Sequence, residues 1–568
     1  MNNLSGKIKW SKGGKGDTIE LKDNYAYGRI FELYAERISI ANNDKESIYY
    51  DKKKSLICAI TGYISNINQI KTKYKIKDKI YPAIVAILYL KLNERIVEKI
   101  EGMFSICILD LKKQIAIIFQ DRYASNLPLY FYSDENQFIF STSLKWALKK
   151  IPMKRELNRD CIPAFLFFQV CIPNEMTLVK NIYKIPPDNY ILLDLAKEAY
   201  ELVKSNVSLP KVSLSYAKRH LLDSVSDNIT ALYSEINQFI PLALTLSRGY
   251  DTNYILNCIR RLTSRRISAF TVGGLMRNEI PQASQIIKQY KDVTHITKIV
   301  KSDIMDNFPD IVWRYEGYTI ERGVFLQYLL GKTLRQMDYS AIFLGDGADQ
   351  ILAPTSRFFQ YILKAYRENN KKILRVIFNY GFNFILSKRN KKQYNNIKYS
   401  VDLDYIIKKS GIMLNSFDVQ GMYPYINPKT EVFGASLGHV NAFKEYSNRQ
   451  VLKLLPGGIS NIIKKVGGST DSAYILKDNF RRILKLIIGF QKKYNLVDDK
   501  IIEKIINKPE DIFSSEHSLS FILRLLYLGL FFELFISGDF DKYFRSPGIK
   551  YNLSYFLNRL SKGRKAVM

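Results

Sequence analysis

The stretch PLALTLSRGYDTNYILNCI, residues 241–259, decides the fold of the second half of this 568-residue chain. A short apolar run ends in the turn 247–252, Ser-Arg-Gly-Tyr-Asp-Thr, and a segment with helical periodicity follows. The pattern predicts a buried strand, a tight turn and a helix. Because a helix N-terminus presents free backbone N–H groups and a positive dipole end, such a turn can bind phosphate oxygens. A strand-to-helix corner capped by Asp and Thr explains the same six residues equally well.

Strand-like and helix-like segments alternate around this turn. Helical periodicity in YAKRHLLDSVSDNITALY precedes it. After it come RISAFTV as strand, IPQASQIIKQY as helix, THITKIV as strand, ERGVFLQYLLGKTLRQM as helix and AIFLG as strand. This order predicts right-handed crossovers and a parallel sheet with helices on both faces. Ligands of such sheets bind beyond the carboxyl ends of the strands, where the turn 247–252 and the loop LGDGADQ are both expected.

The first 150 residues or so have a different character. SLICAITGYIS, MFSICILDL, QIAIIFQD and PLYFYS are strand-like runs rich in Ile, Phe and Tyr, accompanied by one helical stretch, YPAIVAILYLKLNERIVEKI. A Pro-Pro-Asp turn in KIPPDNYILLDL closes this part, and ELVKSNVSLPKVSLS is typical of a linker. We therefore predict two domains, residues 1–205 and 206–568.

The charge balance is strongly basic, with 85 Lys and Arg against 54 Asp and Glu, a net charge of +31. Such an excess can indicate a nucleic acid, an anionic membrane or an acidic substrate. Runs such as KKKS and SKRNKKQ are short and lie among polar residues, as in solvated loops. No nucleic-acid partner is expected, although an RNA-binding protein remains an alternative on the charge alone.

Cysteine and histidine spacing excludes several kinds of site. The five cysteines form no Cys-x-x-Cys pair, which argues against a disulfide framework and a zinc site and favours a reducing compartment. The four histidines lie far apart in sequence, which gives little support to a histidine-based metal cluster or triad.

Targeting segments are not expected. The N-terminus has no apolar core, so no signal peptide is predicted. In LSFILRLLYLGLFFELFISGDF, residues 519–540, Arg524 and Glu533 interrupt the apolar run and leave no clean span of about 18 residues. We predict a buried helix there, no transmembrane segment, and a cytoplasmic protein.

The second polar loop lies in FLGDGADQIL, residues 343–352. Asp346 and Asp349 follow a predicted buried strand, and two glycines surround them. Two acidic loops at neighbouring strand ends can share one metal ion, so Asp251 and Asp349 are the predicted ligands of Mg²⁺.

Both loops resemble motifs of the asparagine-synthetase family. LTLSRGYDT is similar to the family's LSGGLDSS pyrophosphate loop, and FLGDGADQI to its LSGEGADELFGG loop. Four more segments resemble family motifs in the same order, from about residue 60 to 540: residues 101–132, NEMTLVKNIYKIPPDNYILLD, YPYINPKTEVFGASL and NRQVLKLLPGGISNIIKKVGG. The closest types within the family are lasso-peptide cyclases and β-lactam synthetases.

The resemblance implies an α/β protein of two domains. Residues 1–205 would form an αββα glutaminase-like domain, and residues 206–568 a parallel-sheet ATP-pyrophosphatase domain with a helical tail. In the family, a carboxylate attacks the α-phosphate of Mg²⁺-ATP to give acyl-AMP and pyrophosphate, and an amine then attacks the acyl carbon. ATP and Mg²⁺ are therefore the implied cofactors.

Residue roles follow by position in the matched motifs. The implied cofactor-binding residues comprise the pyrophosphate loop and its adenosine-contacting neighbours: Leu246, Ser247, Arg248, Gly249, Tyr250, Asp251, Thr252, Val272, Leu344 and Gly345. Lys465 stands where the family's catalytic lysine stabilises developing negative charge, with Lys464 as the alternative. Asp346 and Glu316 are the further catalytic candidates, and Glu279 falls where the family often has an acid.

The sequence departs from the family at three places. Asn2 stands where the family's glutaminase has its nucleophilic cysteine, so glutamine-derived ammonia is not expected. Arg248 and Tyr250 replace small and apolar residues of the phosphate loop. Asp346 and Gln350 replace residues that are commonly Glu.

These departures favour a ligase that uses no ammonia. The leading hypothesis is an ATP-dependent macrolactam-forming ligase that acts on a precursor core peptide, with a leader peptidase or recognition protein as a further partner. A small-molecule amide or β-lactam synthetase is the alternative. A non-catalytic scaffold is a third hypothesis, because Arg248 could narrow the loop.

Overall fold

The computed structural model describes most of the chain with side chains. The described residues are 3–9, 20–22, 25–28, 31–36, 46–123, 127–168, 175–205, 210–275, 278–318, 323–352, 404–436, 448–451, 453–455, 459, 462, 472–507, 516–537, 539–545 and 551–562.

Two antiparallel sheets make up the N-terminal part. The seven-stranded sheet has the order β11-β9-β10-β1-β4-β3-β2, and the six-stranded sheet the order β13-β12-β8-β7-β6-β5. Their strands are β1 Asn3–Lys9, β2 Glu20–Lys22, β3 Tyr25–Tyr27, β4 Phe31–Glu36, β5 Ile48–Asp51, β6 Leu56–Ile64, β7 Gly102–Asp110, β8 Ile115–Gln120, β9 Tyr130–Ser133, β10 Gln137–Ser141, β11 Tyr183–Lys184, β12 Asn189–Asp194 and β13 Ala199–Lys204.

Helices cover both outer faces of this pair of sheets. They are α1 Ile67–Tyr74, α2 Tyr81–Leu92, α3 Leu144–Lys150 and α4 Ile162–Phe168, with short 3₁₀ turns at Asn93–Glu98 and Arg159–Cys161. Alternation along β6 shows the layering, because Ile57 and Ala59 pack between the sheets while Cys58 and Ile60 pack against the α2 side. The arrangement is the predicted αββα sandwich.

The C-terminal part contains a five-stranded parallel sheet in the order β16-β15-β14-β17-β18. Its strands are β14 Leu242–Thr245, β15 Ile267–Gly274, β16 Val293–Val300, β17 Ala341–Phe343 and β18 Gln420–Met422. The chain runs outward from β14 to β16 on one side and then to β17 and β18 on the other. Strand order therefore reverses at β14, which creates a crevice beside its carboxyl end.

The helices of this part pack around the sheet. They are α5 Leu214–Glu235, α6 Tyr250–Leu262, α7 Ile280–Ile287, α8 Phe308–Tyr315, α9 Val324–Gln336, α10 Ala348–Leu352, α11 Asp404–Asn415, α12 Pro428–Ser436, α13 Ser472–Tyr494, α14 Asp499–Asn507, α15 Glu516–Phe531, α16 Phe540–Phe544 and α17 Leu553–Lys562, with a 3₁₀ turn at Ser302–Asn307 and a π-helical turn at Phe532–Ile536. The predicted alternation of strand and helix from residue 216 to 343 is confirmed. The predicted helical tail from about 357 lies partly outside the described residues.

The long apolar helix near the C-terminus lies inside the fold. Ser518–Ile536 is long and apolar enough to cross a membrane, and 83% of its apolar window is buried within the protein. Arg524 is buried and donates its Nε–H to the carbonyl of Ser520 at 3.0 Å. This burial agrees with the prediction of a core helix.

Candidate active site

The phosphate-loop candidate lies where the strand order reverses. β14 delivers the chain to Leu246, whose N–H donates to the carbonyl of Phe270 on β15 at 2.8 Å. On its other side β14 pairs with β17 through Leu244 and Phe343. The turn 247–249 and the loop 344–347 therefore face one crevice, as the alternation of elements predicted.

Hydrogen bonds hold the turn in one shape. The N–H of Ser247 donates to Thr252 Oγ1 at 3.2 Å, and the N–H of Gly249 donates to Ser247 Oγ at 3.0 Å. The fully buried amide of Asn253 donates to the carbonyls of Ser247 at 2.9 Å and Gly249 at 2.7 Å. The turn is thus braced by side chains from the first helical residues that follow it.

The second loop approaches the turn closely. A Cβ built on Gly345 would lie 3.0 Å from the methyl carbon of Thr252 and 3.5 Å from Cβ of Asp251. Gly347 has a φ of +90°, a conformation that glycine adopts at no steric cost. The two glycines of LGDGADQ let the backbone reach the turn and bend into α10.

Tyr425 lies close to carboxylates from both loops. Its hydroxyl donates to the carbonyl of Asp251 at 3.0 Å. Burial raises the pKa of Tyr425 well above its usual value, and the charges of Asp251 and Asp349 raise it further. The hydroxyl of Tyr425 therefore contacts the backbone of Asp251 at the start of α6.

Asp251 and Asp349 suit a Mg²⁺ ion that is also bound by substrate phosphates, rather than a site made only of protein ligands. In the described part of the chain, no group of three or more His, Cys, Asp or Glu side chains could hold a metal ion. Mg²⁺ is commonly bound through one or two carboxylates together with substrate phosphates and water. Asp251 and Asp349 fit that mode, with the phosphates supplied by ATP.

The other residues predicted around the two loops lie at or just beyond the carboxyl ends of the strands. Leu246 and Leu344 are buried, and Val272 packs partly buried near the end of β15. Asp346 is half-buried close to Tyr423, whose pKa is raised first by burial and then by the charge of Asp346. Tyr250 begins α6 and packs against the core.

Arg248 has an acidic neighbour. Its N–H donates to Glu279 Oε2 at 3.3 Å, and its Nε lies 3.9 Å from Glu279 Oε1. Glu279 is the residue that precedes α7, so the contact joins the loops that follow β14 and β15. The sequence placed Glu279 near the site but did not identify its partner.

Glu316 lies at the contact between the two domains. It ends α8, accepts from the N–H of Lys145 at 3.2 Å and pairs with Lys145 Nζ at 2.9 Å. Ser143 Oγ lies 3.3 Å from both of its carboxylate oxygens. These contacts join Glu316 to the N-terminus of α3, and its catalytic role stays a prediction.

Lys465 and its alternative Lys464 lie outside the described residues, as do Asn2 and Cys171. The four cysteines that the structure does describe are buried. Burial raises the pKa of the Cys58, Cys107 and Cys258 thiols, which opposes thiolate formation. None of the described cysteines is therefore suited to act as a nucleophile.

Some supporting residues were missed by the sequence reasoning. Asn253 and Tyr425 brace the turn, and His295 Nε2 lies 2.8 Å from Thr271 Oγ1, which donates to the carbonyl of Leu246 at 2.8 Å. The one available signal was Asn253, a polar residue just after the turn, on a helix that is otherwise largely apolar on its buried side. The others come from distant segments that carry no motif of their own.

Comparison with known proteins places both domains. Residues 25–204 match the glutamine amidotransferase domain family, and residues 230–407 match the asparagine synthase family. These two matches and the relatives described below support an asparagine-synthetase-family protein. Asparagine synthetases are ligases that form an amide with the use of ATP, generally together with Mg²⁺. The predicted boundary between residues 205 and 206 stays a prediction.

The curated relatives that the chain resembles are distant. A provisionally named glutamine-hydrolysing asparagine synthetase 2 of Methanocaldococcus jannaschii is 24% identical over 59% of the chain and 67% of its own length. Asparagine synthetase B of Escherichia coli is 21% identical over 56% of each chain, and an asparagine synthetase of Asparagus officinalis is 20% identical over 53% of this chain. The chain spans 56% and 48% of the latter two relatives.

Proposed function

We propose that this protein is an ATP-dependent amide ligase that activates a carboxylate as acyl-AMP and joins it to an amine. The observation that carries the proposal is the meeting of two loops at the β14–β17 crevice, where a Cβ on Gly345 would lie 3.0 Å from the methyl carbon of Thr252 and 3.5 Å from Cβ of Asp251. Bound Mg²⁺-ATP would supply the α-phosphate that the carboxylate attacks. The turn 247–252 would hold the pyrophosphate part, and Asp251 and Asp349 the metal ion.

The finer proposal is macrolactam closure of a ribosomally made peptide, as in lasso-peptide cyclases. The burial of the described cysteines supports an amine other than glutamine-derived ammonia. The net charge of +31 suits a carboxylate-bearing peptide. A β-lactam or other small-molecule amide synthetase is the alternative, because the described residues carry no contact that selects a peptide.

ATP–pyrophosphate exchange with candidate peptides and with free amino acids tests the proposal. Exchange that peptides stimulate supports macrolactam closure, and exchange with a small amino acid alone supports the alternative. Background exchange with every carboxylate, from a protein that is folded by circular dichroism, would sink the ligase proposal.

Asp251→Ala is the informative variant in that assay. Loss of a metal carboxylate removes charge stabilisation worth several kcal/mol, so exchange should fall by about a hundredfold or more. Asp292→Asn is the matched control. Asp292 directly precedes the edge strand β16, at the amino end of the strands, whereas the turn lies at their carboxyl end. Full exchange in Asp251→Ala would contradict the assignment of the turn.

A further inference from the structure

Three backbone N–H groups at the start of the turn, those of Ser247, Arg248 and Gly249, already donate to acceptors within the protein. Ser247 Oγ accepts from the N–H of Gly249, Thr252 Oγ1 from the N–H of Ser247, and Glu279 Oε2 from the N–H of Arg248. Two of these acceptors are neutral hydroxyls of the turn itself. Glu279 is the anionic one, and it comes from the neighbouring loop 31 residues away.

Position and charge make this carboxylate a stand-in for a phosphate oxygen. It lies at the first turn of α6, where backbone N–H groups and the helix dipole attract negative charge. It also lies beside the guanidinium of Arg248, a residue that replaces a small one in this loop. A phosphate group that entered the turn would require the same N–H and the same cation.

The Arg248–Glu279 contact is loose enough to exchange. The Nε–Oε1 distance is 3.9 Å, and the buried Nε of Arg248 has no hydrogen-bond partner among the described residues. The two side chains retain 21% and 29% exposure, so water can solvate the carboxylate once it leaves. A partly exposed pair at this distance contributes little to stability.

We propose that Glu279 is an internal anion that occupies the Arg248 side of the turn until a phosphate group displaces it. The inference rests on the proposed function, because it takes the turn to be the element that holds pyrophosphate. After displacement, the backbone N–H and the guanidinium of Arg248 would bind the phosphate instead of the Glu279 carboxylate. Because any anion that enters the turn must first displace the Glu279 carboxylate, its binding is weakened. A ligand with several phosphate oxygens, such as pyrophosphate, makes enough contacts to offset this cost, whereas an anion with a single contact does not.

Calorimetric titration with inorganic pyrophosphate tests this role, first in EDTA and then with Mg²⁺. Glu279→Gln keeps the shape and an acceptor oxygen but removes the charge, and Glu279→Ala removes both. Each variant should bind pyrophosphate about two- to fivefold more tightly than the wild type in both conditions. Asp292→Asn, the same charge change at the far edge of the sheet, should leave the affinity unchanged.

The outcomes separate this inference from the proposed function. If the wild type binds pyrophosphate while Glu279→Gln and Glu279→Ala bind it equally or more weakly, Glu279 supports the ligand and the internal-anion role is wrong. If neither the wild type nor the two Glu279 variants bind pyrophosphate in either condition, both proposals fall. Thermal melting followed by circular dichroism establishes that each titrated variant is folded.

Discussion

At the scale of single residues, Asn253 is the side chain that most directly shapes the turn. Its side chain is fully buried, and its amide donates to two carbonyls, those of Ser247 and Gly249, on either side of Arg248. One short side chain thereby aligns the backbone N–H groups that would face a phosphate. Few other residue types present two donors at this length.

Asn253→Ala should destabilise the protein by about 1 kcal/mol, because two hydrogen bonds from the Asn253 amide to the partly buried turn are lost. It should also weaken pyrophosphate binding, since the turn is no longer held open. Asn257→Ala is the matched control: Asn257 lies one turn later in α6, is also buried, and donates to Leu454 rather than to the turn. Urea unfolding and calorimetric titration of both variants check this, and equal loss of affinity in the two would contradict it.

At the scale of elements, a chain of hydrogen bonds ties three strands to one helix behind the site. Ser284 of α7 lies 3.0 Å from His295 Nδ1, His295 of β16 contacts Thr271 of β15, and Thr271 reaches the carbonyl of Leu246 after β14. With Nδ1 as acceptor, Nε2–H donates to Thr271, whose hydroxyl donates onward. Only the neutral imidazole of His295 can accept a hydrogen bond from Ser284 at Nδ1 while its Nε2–H donates to Thr271.

The pKa of His295 is lowered by burial, which sets the sign of a pH effect. The unfolded chain binds a proton at a pH near 6.5, above the pKa of the folded form. The stability linked to this group is therefore complete above about pH 6.5 and is lost as the pH falls. His295→Asn should reduce the drop in unfolding free energy between pH 7.5 and 5.5. Urea unfolding at both pH values measures it, and an unchanged drop would refute the assignment.

At the scale of the whole molecule, buried polar contacts hold the two domains together. Glu431 of α12, which is almost fully buried, accepts from Tyr123 at 2.7 Å and pairs with Arg122 Nη2 at 3.3 Å. Tyr81 of α2 donates to Glu235 at the end of α5, and Lys145 pairs with Glu316. The αββα domain therefore supports α5, α8 and α12 around the parallel sheet, although its described cysteines are unsuited to catalysis.

Glu431→Ala should cost about 1–3 kcal/mol, because the buried Tyr123 hydroxyl loses this acceptor and Arg122 loses a carboxylate partner while it keeps its pair with Asp188 at 3.0 Å. The loss should appear as earlier separation of the two domains, seen as a lower melting temperature and faster limited proteolysis between residues 205 and 214. Glu156→Ala, from a pair with Lys180 that is largely exposed, should change stability by no more than about 1 kcal/mol. Equal effects of the two variants would contradict the interface role.

By itself, the sequence determined the order of strands and helices from residue 216 to 343, because hydrophobic periodicity is a local property of the chain. It also determined that the turn 247–252 and the loop 344–350 lie at strand ends, since each directly follows an apolar run. The buried character of 519–536 followed from the same reasoning, through the charges that interrupt it.

Only the tertiary structure decided which of these elements meet. The pairing of Arg248 with Glu279, the approach of Tyr425 to Asp251 and the docking of Glu316 on Lys145 join residues 31, 174 and 171 positions apart. No local pattern encodes them, because each depends on the neighbours that β14 acquires when the sheet forms and on how the two domains pack. The physical reason is that contacts between distant residues depend on how the strands, helices and domains pack together, and spacing along the chain does not specify that packing.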